Sequence, residues 1–286
     1  MLAGLAESPA KHSSLELPLS FTVSAHISAK MAACALRLSF HECDQVTNSK
    51  QFCFGLFLIT LSTMMYELLL TRIFSVTLWY HFAFMAVSLA MFGITAGAMG
   101  VYFMPDMFPA ERKARMCAIF SALFSIGILS SFWLQVSIPA AIQFSSGYAI
   151  AATYAVLSVP FFFSGIVVCI ALTGAKEFIG KLYAFDLAGA AIGCIALIAL
   201  LELVDGPTAV VWVCQLSALA AVVFSLAPAL DGTPIKLKDW LAQRSAKVMA
   251  GWLVLVSILA FTNPTTHFVK LGWSKGDESV RPLFEK

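Results

Sequence analysis

From Met116 to Ala175 the chain runs for 60 residues without one charged side chain. A soluble domain cannot hide such a run, because its surface has to be built largely from charged and polar groups that face water. The run fits where the solvent itself is apolar. The hydrocarbon core of a bilayer is about 30 Å thick, and about 20 helical residues cross it. The run is therefore too long for one crossing, and Pro139 to Tyr148 (PAAIQFSSGY) supplies the turn residues that divide it into two.

The rest of the chain conforms. Apolar residues make up 60% and charged residues 12% of it, with a mean hydropathy of +0.86. A soluble domain carries about twice that charged fraction. Phe52 to Thr71 offers 20 residues with a single charge, Glu67, and Phe82 to Met104 offers 23 with none. Leu182 to Leu201 is a fifth span, interrupted by Asp186, and Thr208 to Leu230 a sixth, introduced by Gly206-Pro207. Val248 to Thr262 gives only 15 residues before Asn263-Pro264, or about 22 Å of helix. The expected fold is an all-α, polytopic transmembrane helix bundle of six to seven spans, or eight if a further crossing exists. Residues 1–50 read as a poorly ordered cytoplasmic leader, 51–262 as the bundle, and 263–286 as a polar tail.

Lys and Arg positions orient this map. The segment 105–115 holds Arg112, Lys113 and Arg115; 174–181 holds Lys176 and Lys181; 229–247 holds Lys236, Lys238, Arg244 and Lys247. The alternate connections 73–81, 139–147 and 202–207 hold none. Positive residues concentrate on the cytoplasmic side, so those three segments and the N-terminus are expected there. Trp79-Tyr80 then falls at the outer interface. The net charge of +2 is too small to suggest nucleic acid as a partner. The expected partner is the lipid bilayer.

Ionisable side chains inside spans are costly, so each calls for an explanation. Glu67, Arg72 and His81 fall at similar depth on the outer side, with Tyr66 and Tyr80 near them, and could converge there. Asp186 falls near the cytoplasmic end of its span beside Tyr183 and Lys181, roughly 15 Å in depth from Glu67. One reading is structural: Arg72 snorkels to headgroups, Glu67 pairs with it or another helix, and Asp186 caps or salt-bridges. The other is a proton or ligand path through Glu67. Gly93-x-x-x-Gly97 with Gly100, and Gly189-x-x-x-Gly193, are faces on which helix backbones approach closely in lipid. Pro160 removes one backbone hydrogen bond from the fourth span.

Catalytic and cofactor motifs are absent from the sequence. It contains no GxGxxG, Walker A, HExxH or GxSxG pattern. The seven cysteines form no CxxC pair and no His-spaced set, so neither a metal site nor a disulfide framework is expected. No catalytic or cofactor-binding residue and no cofactor is assigned.

Two stretches go beyond hydropathy. Tyr66–Tyr102 reads YELLLTRIFSVTLWYHFAFMAVSLAMFGITAGAMGVY, and Leu182–Gly193 reads LYAFDLAGAAIG. Both resemble the membrane portion of bacterial proteins that fuse a multi-helix module to a spermidine synthase-like (polyamine aminopropyltransferase-like) domain. The resemblance extends over about residues 52–286, and Arg281 to Lys286 looks like the junction to that soluble domain. It implies a membrane module, located in a bacterial inner membrane, that anchors, or feeds substrate to, an aminopropyltransferase-like domain. The Gly-rich loop and acidic residues of such a domain are missing, so no catalytic residue carries over; Glu67, Arg72, His81, Tyr183 and Asp186 alone match the membrane pattern. A small-solute transporter or exporter, and a structural membrane subunit, are the alternatives. A seventh crossing would put 263–286 outside, whereas Lys270, Lys275, Arg281 and Lys286 agree better with the inside.

Overall fold

Inside hydrocarbon every backbone polar group must find its partner within the protein, and an α-helix achieves this along a single segment. The computed structural model describes residues 50–76, 81–108, 113–137, 146–174, 179–227 and 244–266. These form seven α-helices and no strand. They are α1 (Lys50–Val76), α2 (His81–Phe103), α3 (Lys113–Ser137), α4 (Gly147–Gly174), α5 (Ile179–Leu203), α6 (Gly206–Leu226) and α7 (Arg244–Thr266). A short 3-10 turn, Pro105–Met107, follows α2. Helices α1 to α6 are long and apolar enough to cross a membrane, whereas the apolar stretch of α7 is limited to Lys247–Asn263. The expected all-α multi-pass bundle is what forms. All described residues belong to one unit, 47–286. Apart from Lys50, the expected leader lies outside the described residues, as do Trp79-Tyr80 and the chain beyond Thr266.

Several helices outrun their apolar spans. α1 continues to Val76, so Arg72 stands a full turn inside the helix and does not mark its end. α7 runs through Asn263-Pro264 to Thr266 instead of stopping before them. Hydropathy registers where side chains avoid water, but backbone hydrogen bonding continues into the interface. α4 likewise runs unbroken past Pro160.

Helix α1 is the centre of the bundle. In its apolar window 72% is buried, against 17% for α5. α1 touches four neighbours through named pairs: Thr63 meets Ser164 of α4, Tyr66 meets Ser131 of α3, Phe52 meets Phe224 of α6, and Gly189 of α5 abuts Phe57 and Thr60. Its serines and threonines do not interrupt it, because their hydroxyls bond back to carbonyls one turn earlier, Ser62 to Leu58 at 2.8 Å and Thr63 to Ile59 at 2.7 Å.

Glycines set the closest approaches. A Cβ added at Gly97 would collide with the Phe162 carbonyl oxygen, and one at Gly165 with the Ile94 carbonyl oxygen. α2 and α4 therefore meet backbone to backbone, and the pairing of Gly93 with Ser158 and Gly97 with Phe162 makes them parallel. Gly189 against Phe57 and Gly193 against Leu61 likewise make α5 parallel to α1. The predicted small-residue faces are thus helix contacts, except that Gly100 has only ordinary contact with Phe162.

The polarity of the bundle is inverted relative to a water-soluble protein. Ser62, Ser121, Ser125 and Ser217 are fully buried, while Phe84, Tyr102, Ile195 and Leu203 are at least 70% exposed. In water such an apolar exterior would drive association. A hydrocarbon solvent accommodates it.

Candidate functional site

Of the five polar positions singled out in the sequence, the side chains of Glu67, Arg72, Tyr183 and Asp186 are described. Glu67, on α1 beside the buried Tyr66, is half-buried, and Arg72 on the same helix is exposed. His81 opens α2, but its side chain lies outside the described set. No hydrogen bond or ion pair joins Glu67 to Arg72 or to any other described residue. Five residues of helix rotate the two side chains about 140° apart, so their shared depth does not bring them together.

Tyr183 and Asp186 lie on α5. Tyr183 is exposed and Asp186 half-buried. Asp186 falls on the same helical stripe as Leu182, Gly189, Gly193 and Leu197, which are the buried residues of α5. It therefore edges the α1–α5 contact, just before the point where Gly189 meets Phe57 and Thr60. Since the two helices are parallel, Glu67 stands further along the same axis by about 15 Å or more. Asp186, like Glu67, has no hydrogen-bonded or ionic partner among the described residues. The two carboxylates flank one seam at different depths and share no proton.

The polar groups that are brought together are uncharged, and reading the spans for ionisable residues passed them over. Thr63 Oγ1 and Ser164 Oγ lie 2.5 Å apart between α1 and α4. The Thr63 proton is committed to the Ile59 carbonyl, so Ser164 is the donor. Tyr66 and Ser131 are 3.0 Å apart; Ser131 already donates to Ile128 at 3.2 Å, which makes the phenol the donor. Ser125 on α3 donates to the Cys214 carbonyl at 2.9 Å and accepts from Trp252 Nε1 at 2.9 Å. Gln215 Nε2 donates to Ser257 Oγ at 3.1 Å, and Asn263 Nδ2 to Thr208 Oγ1 at 2.9 Å. The sequence carries no signal that separates these residues from a Ser or Thr bonded only within its own helix.

This arrangement clamps helices. The hydroxyls of Ser62, Thr63, Ser121, Ser125, Ser131, Ser217 and Ser257 all donate to backbone carbonyls. None of these hydrogen bonds joins a hydroxyl to a histidine or carboxylate, the pairing that activates a nucleophile. The five described cysteines are free thiols. Among the described residues no group of three or more His, Cys, Asp or Glu side chains is placed to hold a metal ion. Gln215 Oε1 is the one buried side-chain polar atom among them that lacks a hydrogen-bond partner.

Comparison with family models, with curated proteins and with solved structures returns no match for this chain.

Proposed function

We propose that this chain is the membrane module of a spermidine synthase-like protein, and that its bundle anchors an aminopropyltransferase-like domain at the membrane. What supports the reading is the placement of the two resembling stretches. The ELLLTR segment lies on the most deeply buried helix, α1, and LYAFDLAGAAIG supplies Gly189 and Gly193, which seat α5 on α1. The second stretch therefore resembles that family at the residues that assemble this bundle. The nine cations of the alternate segments orient the module with Lys50 toward the cytoplasm of a bacterial inner membrane.

An anchoring module binds no nucleoside donor itself. Titration calorimetry of the purified chain with decarboxylated S-adenosylmethionine is expected to give no saturable heat, and saturable micromolar binding would contradict the reading. Downstream coding sequence tests it from the other side: an in-frame Gly-rich strand-to-helix turn is expected, and an immediate stop codon followed by an unrelated gene would count against it.

A second reading, a carrier for a small cationic solute, draws on one observation. Glu67 and Asp186 are half-buried acids without described partners along a single α1–α5 seam. Uptake of labelled putrescine into proteoliposomes separates the two readings. The anchoring module gives none, whereas a carrier gives saturable uptake that Glu67→Gln and Asp186→Asn abolish.

A further inference from the structure

We infer that α7 is a seventh membrane crossing, so that the chain leaving α7 emerges on the face opposite to the one where α1 begins. The inference is independent of the proposed function and rests on a chain of contacts. At the start of α1, Phe52 packs edge-on against Phe224 at the end of α6, with ring centroids 5.2 Å apart, and a Cβ at Gly55 would press on the same ring. α1 and α6 are therefore antiparallel, with Phe52 and Phe224 at one end of the bundle. α7 is antiparallel to α6 in turn, because Asn263 bonds Thr208, Phe261 packs on Trp212 and Gln215 bonds Ser257. Asn263 thus sits level with Thr208 at the start of α6. Between Thr208 and Phe224 the α6 axis rises about 24 Å, most of a hydrocarbon core.

The distribution of polarity around α7 is that of a helix in lipid. Its inward side carries the polar links: Asn263 to Thr208, Ser257 to Gln215, and Trp252 to Ser125 of α3. Its outward side is apolar, with Val248, Val254, Leu255, Ile258 and Phe261 all more than half exposed. A helix lying along the interface would show the reverse, with its apolar stripe inward and polar groups facing headgroups. The 17-residue apolar stretch Lys247–Asn263 is short for a crossing. It is flanked by Lys247 at one end and by the buried amide of Asn263, satisfied within the protein, at the other. The end of α7 therefore lies on the face where α4 and α6 begin. Lys270, Lys275, Arg281 and Lys286 pull toward the other face, so packing and charge make opposite forecasts.

Cysteine labelling decides between them. In a full-length parent carrying Cys34→Ser and Cys43→Ser, single probes are placed by Ser274→Cys, Ser146→Cys and Lys113→Cys. Membrane-impermeant maleimide is applied to intact cells and to inverted vesicles. The inference predicts that Ser274→Cys labels from the same side as Ser146→Cys and opposite to Lys113→Cys. Labelling of Ser274→Cys together with Lys113→Cys overturns it. The Ser146/Lys113 contrast within each preparation verifies that the bundle is inserted before the third probe is read.

Discussion

Ser125 on α3 and Cys214 on α6 are bonded to each other in both directions. The Ser125 hydroxyl donates to the Cys214 carbonyl at 2.9 Å, and the Cys214 thiol donates to the Ser125 carbonyl at 3.2 Å. Trp252 of α7 adds a third link by donating its indole N–H to the same hydroxyl at 2.9 Å. One serine thus ties three helices. Ser125→Ala removes the link and leaves the indole N–H without its acceptor, which costs about 1–3 kcal/mol. The expected outcome is a lower melting temperature in detergent. Trp252→Phe in the Ser125→Ala background should cost less than Trp252→Phe alone, and strict additivity of the two changes would show that the link carries no energy.

The glycine contacts predict a graded series. Gly97→Ala and Gly165→Ala drive a methyl group into the facing backbone of α4 and α2, where nothing can swing aside, and should each destabilise by about 1–3 kcal/mol. Gly251→Ala meets nothing within 4 Å and should stay within about 0.5 kcal/mol of the parent. Thermal melts of the three variants in one detergent make the comparison. Equal melting temperatures would mean that α2 and α4 are not in backbone contact.

Glu67 is predicted to be a liability for stability. A half-buried carboxyl group with no described partner gains nothing from its surroundings to offset lost hydration. Glu67→Leu should raise stability by up to about 1 kcal/mol. A fall in melting temperature would reveal a cation or donor that holds the carboxylate, and would return Glu67 to the polar cluster expected with Arg72 and His81.

How much of this was legible beforehand depends on the range of the interaction involved. The spans were legible because hydropathy is a sum over local side chains, and each of the six expected crossings coincides with a helix, α1 to α6. Gly93, Gly97, Gly189 and Gly193 announced close approaches through their spacing, but the spacing could not name Phe162 or Phe57 as the surface approached. Gly165 was not singled out, because neither neighbour at four residues, Phe161 nor Cys169, is a glycine, and its role appears only when Ile94 is placed against it. The polar clamps were invisible for a similar reason. Thr63 and Ser164 are 101 residues apart in the chain, and a buried serine looks the same in sequence whether it bonds its own helix or another. For Glu67 and Arg72 the five-residue spacing already gives both the shared depth and the separation of about 140° around the helix.

The central claim is that residues 50–226 cross the membrane as alternating helices packed around α1. Labelling from outside intact cells with impermeant maleimide tests it most directly, using Ser146→Cys, Lys113→Cys and Lys238→Cys in the parent lacking Cys34 and Cys43. The account predicts that Ser146→Cys reacts and that the two lysine positions react only after the membrane is opened. Equal reaction at all three positions in intact cells would contradict it.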